Sequence, residues 1–226
     1  MLIDLRAHGA SGRPTSGDYS LRAMGRDLRA VLDATAPQGP AVLVGHSMGG
    51  MAVLAFAELF PEEIGGRVGG VVLVDTAASD VFREVFGSLG ARVGWGLRRL
   101  GTRYRSRIDS AERLQRAVRR FGADLSFLVS RATNFGPDAS PSQIEHVTVP
   151  ALVVVGDRDL ITPKASAQAL RAALPDARAV VITRAGHLSM MEQHGRFNEV
   201  LERFLGEVLP AGRRRRGRRR KAAAGA

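Results

Sequence analysis

The chain has no cysteine among its 226 residues. That removes disulfides, thiolate metal sites and a cysteine nucleophile from consideration. It fits a reducing compartment, and a cytoplasmic location is the expectation. Long hydrophobic runs are also missing. None approaches the roughly 18 apolar residues that a bilayer-spanning helix needs, so no transmembrane helix is expected. A secretory leader is not visible either, because Met1 is followed at once by Leu-Ile-Asp-Leu, which reads as a strand. Aromatic residues make up only 5% of the chain, and none stands in the basic tail. The stacking platform of a nucleic-acid module is therefore not signalled there.

Acidic residues are outnumbered, 22 against 33 Lys and Arg, for a net charge of +11. The excess has two sources. Arg213 to Arg216, Arg218 to Arg220 and Lys221 place eight positive charges in nine residues. Between Arg83 and Arg131, 12 Arg stand against Glu84, Asp109, Glu112 and Asp124. The remainder of the chain is net acidic. The tail over 211–226 has the composition of a disordered segment. Its expected partner is an anionic membrane or nucleic acid, bound weakly and without sequence preference. The arginines of the middle segment read first as a solvated face. The alternative is attraction of an anionic substrate or headgroup surface.

Short apolar runs alternate with helical periodicity along most of the chain. Strands are predicted at Leu2 to Leu5, Ala41 to Val44, Val71 to Val74, Ala151 to Val155 and Ala179 to Ile182. Asp18 starts a predicted helix carrying Leu21, Met24, Leu28, Val31 and Leu32 at helical spacing. Met51 to Leu59 is an apolar helix stopped by Pro61. Thr162 and Pro163 read as a cap and first position of a helix running to about Leu174. A last helix covers about Gln193 to Val208. Such alternation predicts an α/β fold with a mainly parallel sheet covered on both faces. Residues 77–147 lack strand signals and read as helices and loops, an insertion placed where a cap or lid sits. The expected organisation is a core over 1–76 and 148–210, the inserted cap, and the tail.

Gly45-His46-Ser47-Met48-Gly49-Gly50 matches G-x-S-x-G between an apolar strand and an apolar helix. That context raises a serine on a strained strand-to-helix turn at the carboxyl end of the sheet. Gly45 and Gly49 are expected to let strand and helix approach closely. Ser47 is the candidate nucleophile, and the Met48 N–H, first of the helix, points where an oxyanion would form. A serine hydroxyl needs a base. Of His8, His46, His146, His187 and His194, only His187 follows a predicted strand into a loop at the same end as Ser47. His46 should point away from Ser47 and pack, His194 should be exposed, and His146 lies at the opposite end. For the carboxylate that orients the base, Asp159 is the first choice, Asp157 the second and Asp75 the third. The order Ser47, Asp159, His187 is the one this motif carries. No metal or organic cofactor is implied.

Four stretches together resemble the α/β-hydrolase superfamily, in its branch of capped esterases, lipases and cofactor-free haloperoxidases. They are Ile3-Asp4-Leu5-Arg6-Ala7-His8-Gly9-Ala10-Ser11 with Pro14, the GHSMGG turn, GDRDLITP and AGHLSMMEQ. They span residues 2–208. The resemblance implies a serine hydrolase acting on small carboxylic esters or lipid-like substrates through an acyl-serine. It places the acid at the second Asp of the G-x-x-D stretch, Asp159. It leaves two rivals: a perhydrolase using the same residues, and a non-catalytic hydrolase-like binding domain. The resemblance also implies a strand ending in His-Gly ahead of Asp4-Leu5-Arg6, whose loop gives a second oxyanion donor. His8-Gly9 is not that segment. Two expectations follow: the Leu2 strand pairs directly with the Ala41 strand in a five-stranded sheet, or Met1 is not the true start and the fold is N-terminally truncated.

Overall fold

A computed structural model of the chain describes residues 1–78 and 142–209. Most of the expected cap and the whole basic tail lie outside these residues. Helix α1 (Leu21–Thr35) begins at Ser20, not at Asp18, because the Ser20 side chain accepts the Ala23 N–H. The Asp18 carboxylate instead accepts the Ser20 N–H and braces the cap from outside. Strand β1 (Ala41–His46) leads through Ser47 into α2 (Met48–Leu59). After a 3-10 turn, β2 (Val68–Val74) ends at Asp75. The chain is next described at a short α3 (Ser142–Glu145), followed by β3 (Ala151–Gly156), α4 (Lys164–Ala173) and β4 (Ala177–Ile182). A four-residue α5 (Ser189–Glu192) and the long α6 (His194–Val208) complete it.

Among the described residues the sheet has four strands in the order β1-β2-β3-β4, and every pair is parallel. Parallel neighbours need crossovers; α2 supplies the one between β1 and β2, and α4 the one between β3 and β4. The two-residue alternation of the strands sorts side chains to two cores. Val71, Leu73, Ala151, Val153 and Val155 face α1, α2 and α4, packing with Met24, Phe56 and Leu170. Val72, Val74, Leu152, Val154 and Ile182 face α6, which covers them with Phe197 and Phe204. Strands buried on both faces read as continuous apolar runs, and that is why β2 and β3 were legible as strands. Removing a fully buried phenylalanine such as Phe204 costs about 3–5 kcal/mol, since transfer and cavity terms add.

The first predicted strand is absent. Leu2 to Leu5 carries no strand pairing among the described residues; Leu2 is fully exposed and β1 is an edge strand. The five-stranded arrangement is thereby corrected. The physical reason lies in Asp4, which closes a loop instead: its carboxylate accepts the Ala10 N–H and its carbonyl the Ser11 hydroxyl. An apolar run forms a strand only where a neighbour receives its backbone groups. Among the described residues, no helix is long and apolar enough to cross a membrane.

Candidate active site

All four strands point their carboxyl ends the same way, and the loops at that rim carry Ser47, Asp75, Asp159 and His187. Ser47 stands between β1 and α2 with φ 52° and ψ −119°. A left-handed φ costs a non-glycine residue of order 1–3 kcal/mol, and it persists only where the surroundings enforce it. Here the Ser47 N–H donates to the Val74 carbonyl at 2.9 Å, and the Thr76 hydroxyl donates to the Ser47 carbonyl at 2.7 Å. A Cβ on Gly45 would collide with the Gly49 carbonyl, as the motif demands. Gly49 itself faces open space, contrary to expectation; the second tight approach is made by Gly50 against the Thr76 side chain.

His187 lies in the loop between β4 and α5. Its Nε2 is 3.0 Å from Ser47 Oγ, and its Nδ1 is 2.9 Å from Asp159 Oδ2. A carboxylate only accepts, so Nδ1 carries the proton and the lone pair of neutral Nε2 faces the serine hydroxyl. Asp159, only 5% exposed, collects three further donors. The Ile161 and Thr162 N–H groups reach Oδ1 at 2.7 and 2.9 Å, and the Thr162 hydroxyl reaches Oδ2 at 2.6 Å. Burial alone would push this carboxyl up, but the hydrogen bonds from His187 and Thr162 together hold it below its ordinary value. Thr162 is thus not the helix cap that its sequence position suggests. Its hydroxyl serves the carboxylate, and α4 starts after Pro163 without a side-chain cap.

The other candidates occupy supporting places. Asp157 accepts the Ala185 N–H at 3.2 Å and so braces the histidine loop. Asp75 is fully buried and bonds to Gly156 and Ser189. His46 packs, as expected, but its partner is the site itself. Its ring lies 5.0 Å from the His187 ring centroid, and its Nε2 donates to the His187 carbonyl at 2.7 Å. Burial lowers the His46 pKa below the usual imidazole value, because the charged form loses water. His194 is exposed on α6, His146 precedes β3 at the opposite end, and His8 sits in the turn after Leu5 with Nδ1 3.0 Å from the Arg6 carbonyl. Met48 opens α2 directly after Ser47.

Sequence reasoning missed the Thr162 hydroxyl, the close approach at Gly156 and the Ser189 contact. A Cβ on Gly156 would collide with the carbonyls of Ala185 and Gly186, so the acid loop and the base loop touch through backbone. The readable signal was the glycine ending an otherwise β-branched run.

Comparison with known proteins bears on the family and the fold. The model of the Alpha/beta hydrolase family matches residues 1–200. A 2-hydroxy-6-oxononadienedioate/2-hydroxy-6-oxononatrienedioate hydrolase of Paraburkholderia phymatum is 30% identical over 207 residues, covering 80% of this chain and 67% of its own. The 3-oxoadipate enol-lactonase 2 of Acinetobacter baylyi is 28% identical over 224 residues, covering 89% and 76%. The solved structure of a thermophilic esterase from Thermogutta terrifontis superposes with a TM-score of 0.65 at 27% identity, covering 91% of this chain and 78% of that one. With one family model spanning the elbow, the acid loop and the histidine loop alike, the chain belongs to the alpha/beta hydrolase family.

Proposed function

We propose that the protein is a serine hydrolase of carboxylic esters, with Ser47 as nucleophile, His187 as base and Asp159 as the group that orients the base. The observation that carries this reading is the hydrogen-bonded line from Ser47 Oγ through the His187 ring to Asp159, 3.0 and 2.9 Å at its two links. Those lengths lie within the reach that proton transfer requires.

In this reading the serine oxygen attacks the ester carbonyl carbon as its proton passes to His187 Nε2. The carbonyl electron pair moves to oxygen, and the Met48 N–H stabilises the oxyanion. That N–H belongs to the first turn of α2, whose donors have no partner within the helix. Collapse of the intermediate expels the alcohol, which takes the proton from Nε2. Water then attacks the acyl-serine by the same route in reverse and releases the acid. Asp159 stays ionised throughout and steadies the imidazolium. The insertion at 77–147 is proposed as a cap, because it leaves the sheet just after the end of β2, on the rim that carries Ser47.

The test compares the full chain with Ser47→Ala on short p-nitrophenyl esters and a fluorophosphonate probe. We expect labelling at one serine in the wild type and none in the variant, with hydrolysis falling by about 10⁶. A folded wild-type chain no faster than Ser47→Ala overturns the reading.

A further inference from the structure

Three loops deliver the site, and one short segment touches all of them. It is Val74-Asp75-Thr76, where β2 ends. The Val74 carbonyl and the Thr76 hydroxyl hold the two sides of the Ser47 peptide backbone, at 2.9 and 2.7 Å. Between them, Asp75 takes φ 43° and sends its side chain toward the other two loops. Its Oδ1 accepts the Gly156 N–H at 2.9 Å, three residues ahead of Asp159. Its Oδ2 accepts the Ser189 N–H at 3.0 Å and the Ser189 hydroxyl at 2.6 Å, two residues beyond His187. Asp75 and Ser189 are both 0% exposed. A buried carboxylate of this kind is costly unless every partner is present, so its geometry is narrowly set.

We infer that Asp75 is a positioning residue, whose carboxylate locks the acid loop and the histidine loop to the end of the strand that also holds the nucleophile. This inference rests on the reading of Ser47, Asp159 and His187 as the reacting set. The physical argument is one of leverage. Asp159 and His187 each approach their partner from a separate loop, and the Ser47 to His187 link closes over 140 residues of sequence. The backbone bond from Arg158 N to Ala185 O already joins the acid and histidine loops. Among the described residues, Asp75 ties that joined pair, through side-chain atoms, to the segment gripping Ser47, and the His46 ring adds a second tie, from the residue before Ser47 to the His187 carbonyl. Loss of its carboxylate lets the pair shift relative to the serine. A displacement of about 1 Å costs on the order of 10²-fold in rate.

The experiment uses the full chain and three proteins: wild type, Asp75→Asn and Ser189→Ala. In Asp75→Asn the side chain keeps its shape but presents an amide NH₂ toward one of its former donors, so one loop is released. For this variant we expect kcat and the fluorophosphonate labelling rate to fall about 10²-fold while KM is unchanged. Ser189→Ala removes only the 2.6 Å contact and is expected to lower kcat severalfold, with a lowered melting temperature because the buried carboxylate loses one donor. Should Asp75→Asn fail to fold, Ser189→Ala carries the test alone. Wild-type kcat in a folded Asp75→Asn overturns the proposal, even if its melting temperature falls, since that result assigns the contact to stability only. Wild-type kcat in Ser189→Ala overturns it where Asp75→Asn does not fold. A wild-type chain that the probe does not label removes the hydrolase reading itself, and the proposal with it.

Discussion

The two ends of the same sheet hold their polar groups in opposite ways. At the amino end, Arg29 and Arg67 share Asp33 and Glu63 between them, and Arg29 also reaches Glu62. Both Asp33 and Glu63 have two guanidinium partners; Glu63 is buried, and the rest of the group borders water. At the carboxyl end, Asp75 and Asp159 are buried, and their donors come from defined positions on separate loops. The first arrangement is redundant: a lost partner is replaced by the other arginine at Glu63, and by the other arginine or solvent at Asp33. The second has no substitute partner, because water is excluded and an orphaned buried group bears its full desolvation penalty. Redundancy suits a surface that only has to stay folded. In the proposed hydrolase reading, the rim has to place three side chains to within a fraction of an ångström.

This contrast can be broken or sharpened by experiment. In the proposed reading, the largest effect beyond Ser47 is expected at Asp159. Asp159→Asn keeps the size of the side chain but turns a donor toward His187 Nδ1 and favours the wrong tautomer. A loss of about 10⁴ in kcat is expected from steady-state ester hydrolysis. A folded Asp159→Asn within tenfold of wild type would mean that the rim tolerates exchange as the amino end does.

A smaller effect is expected at His46, and its readout is pH. Burial keeps the folded-state pKa of this ring below its ordinary 6.5. Below 6.5 the unfolded chain therefore takes up a proton that the folded chain refuses until its own lower pKa is reached. Stability contributed by neutral His46 is complete above 6.5 and declines as pH falls through that window. The melting temperature, followed from pH 7 to pH 5, should drop less steeply in His46→Gln than in the wild type. Equal slopes would show that burial of this ring is not what makes the rim acid-sensitive.

The smallest effect is expected at the amino end. Arg67→Gln should leave the fluorophosphonate labelling rate unchanged and lower the melting temperature by at most about 4 °C. The hydrogen bond from Arg67, more than any other influence, holds the Glu63 carboxyl below its usual 4.5. The stability tied to that shift is present above 4.5 and lost as pH falls through the lower folded-state value. In Arg67→Gln the acid side of the melting curve should be shallower. A large loss of labelling in this variant would erase the distinction between the two ends.

Much of the rim was legible because its residues sit beside strong punctuation. Gly45 to Gly50 announces a turn between an apolar strand and an apolar helix, and Asp159 and His187 each follow a β-branched run closed by a glycine or a loop. Other features were hidden because they depend on a distant partner. Thr162 precedes a proline and a helix, so a cap was the local reading; its acceptor Asp159 is close in sequence, but that carboxylate is fixed by His187 from another loop. Leu2 to Leu5 has the composition of a strand and lacks a neighbour to pair with. Gly49 belongs to the motif, but the collision that excludes a side chain occurs at Gly50, where Thr76 presses from the loop after β2.

The linear sequence determined which elements form and the side on which their loops emerge. Apolar periodicity and glycine or proline punctuation are local, and parallel strands joined by helices bring successive carboxyl ends to one rim. What only the tertiary structure decided is the set of partners at that rim. Asp75, Asp157 and Asp159 all follow strand ends, and nothing local separates the one that faces His187 from the two that hold backbone. That choice is made where loops far apart in the chain close to hydrogen-bond distance, because such bonds act over about 3 Å and have no signature at a single position.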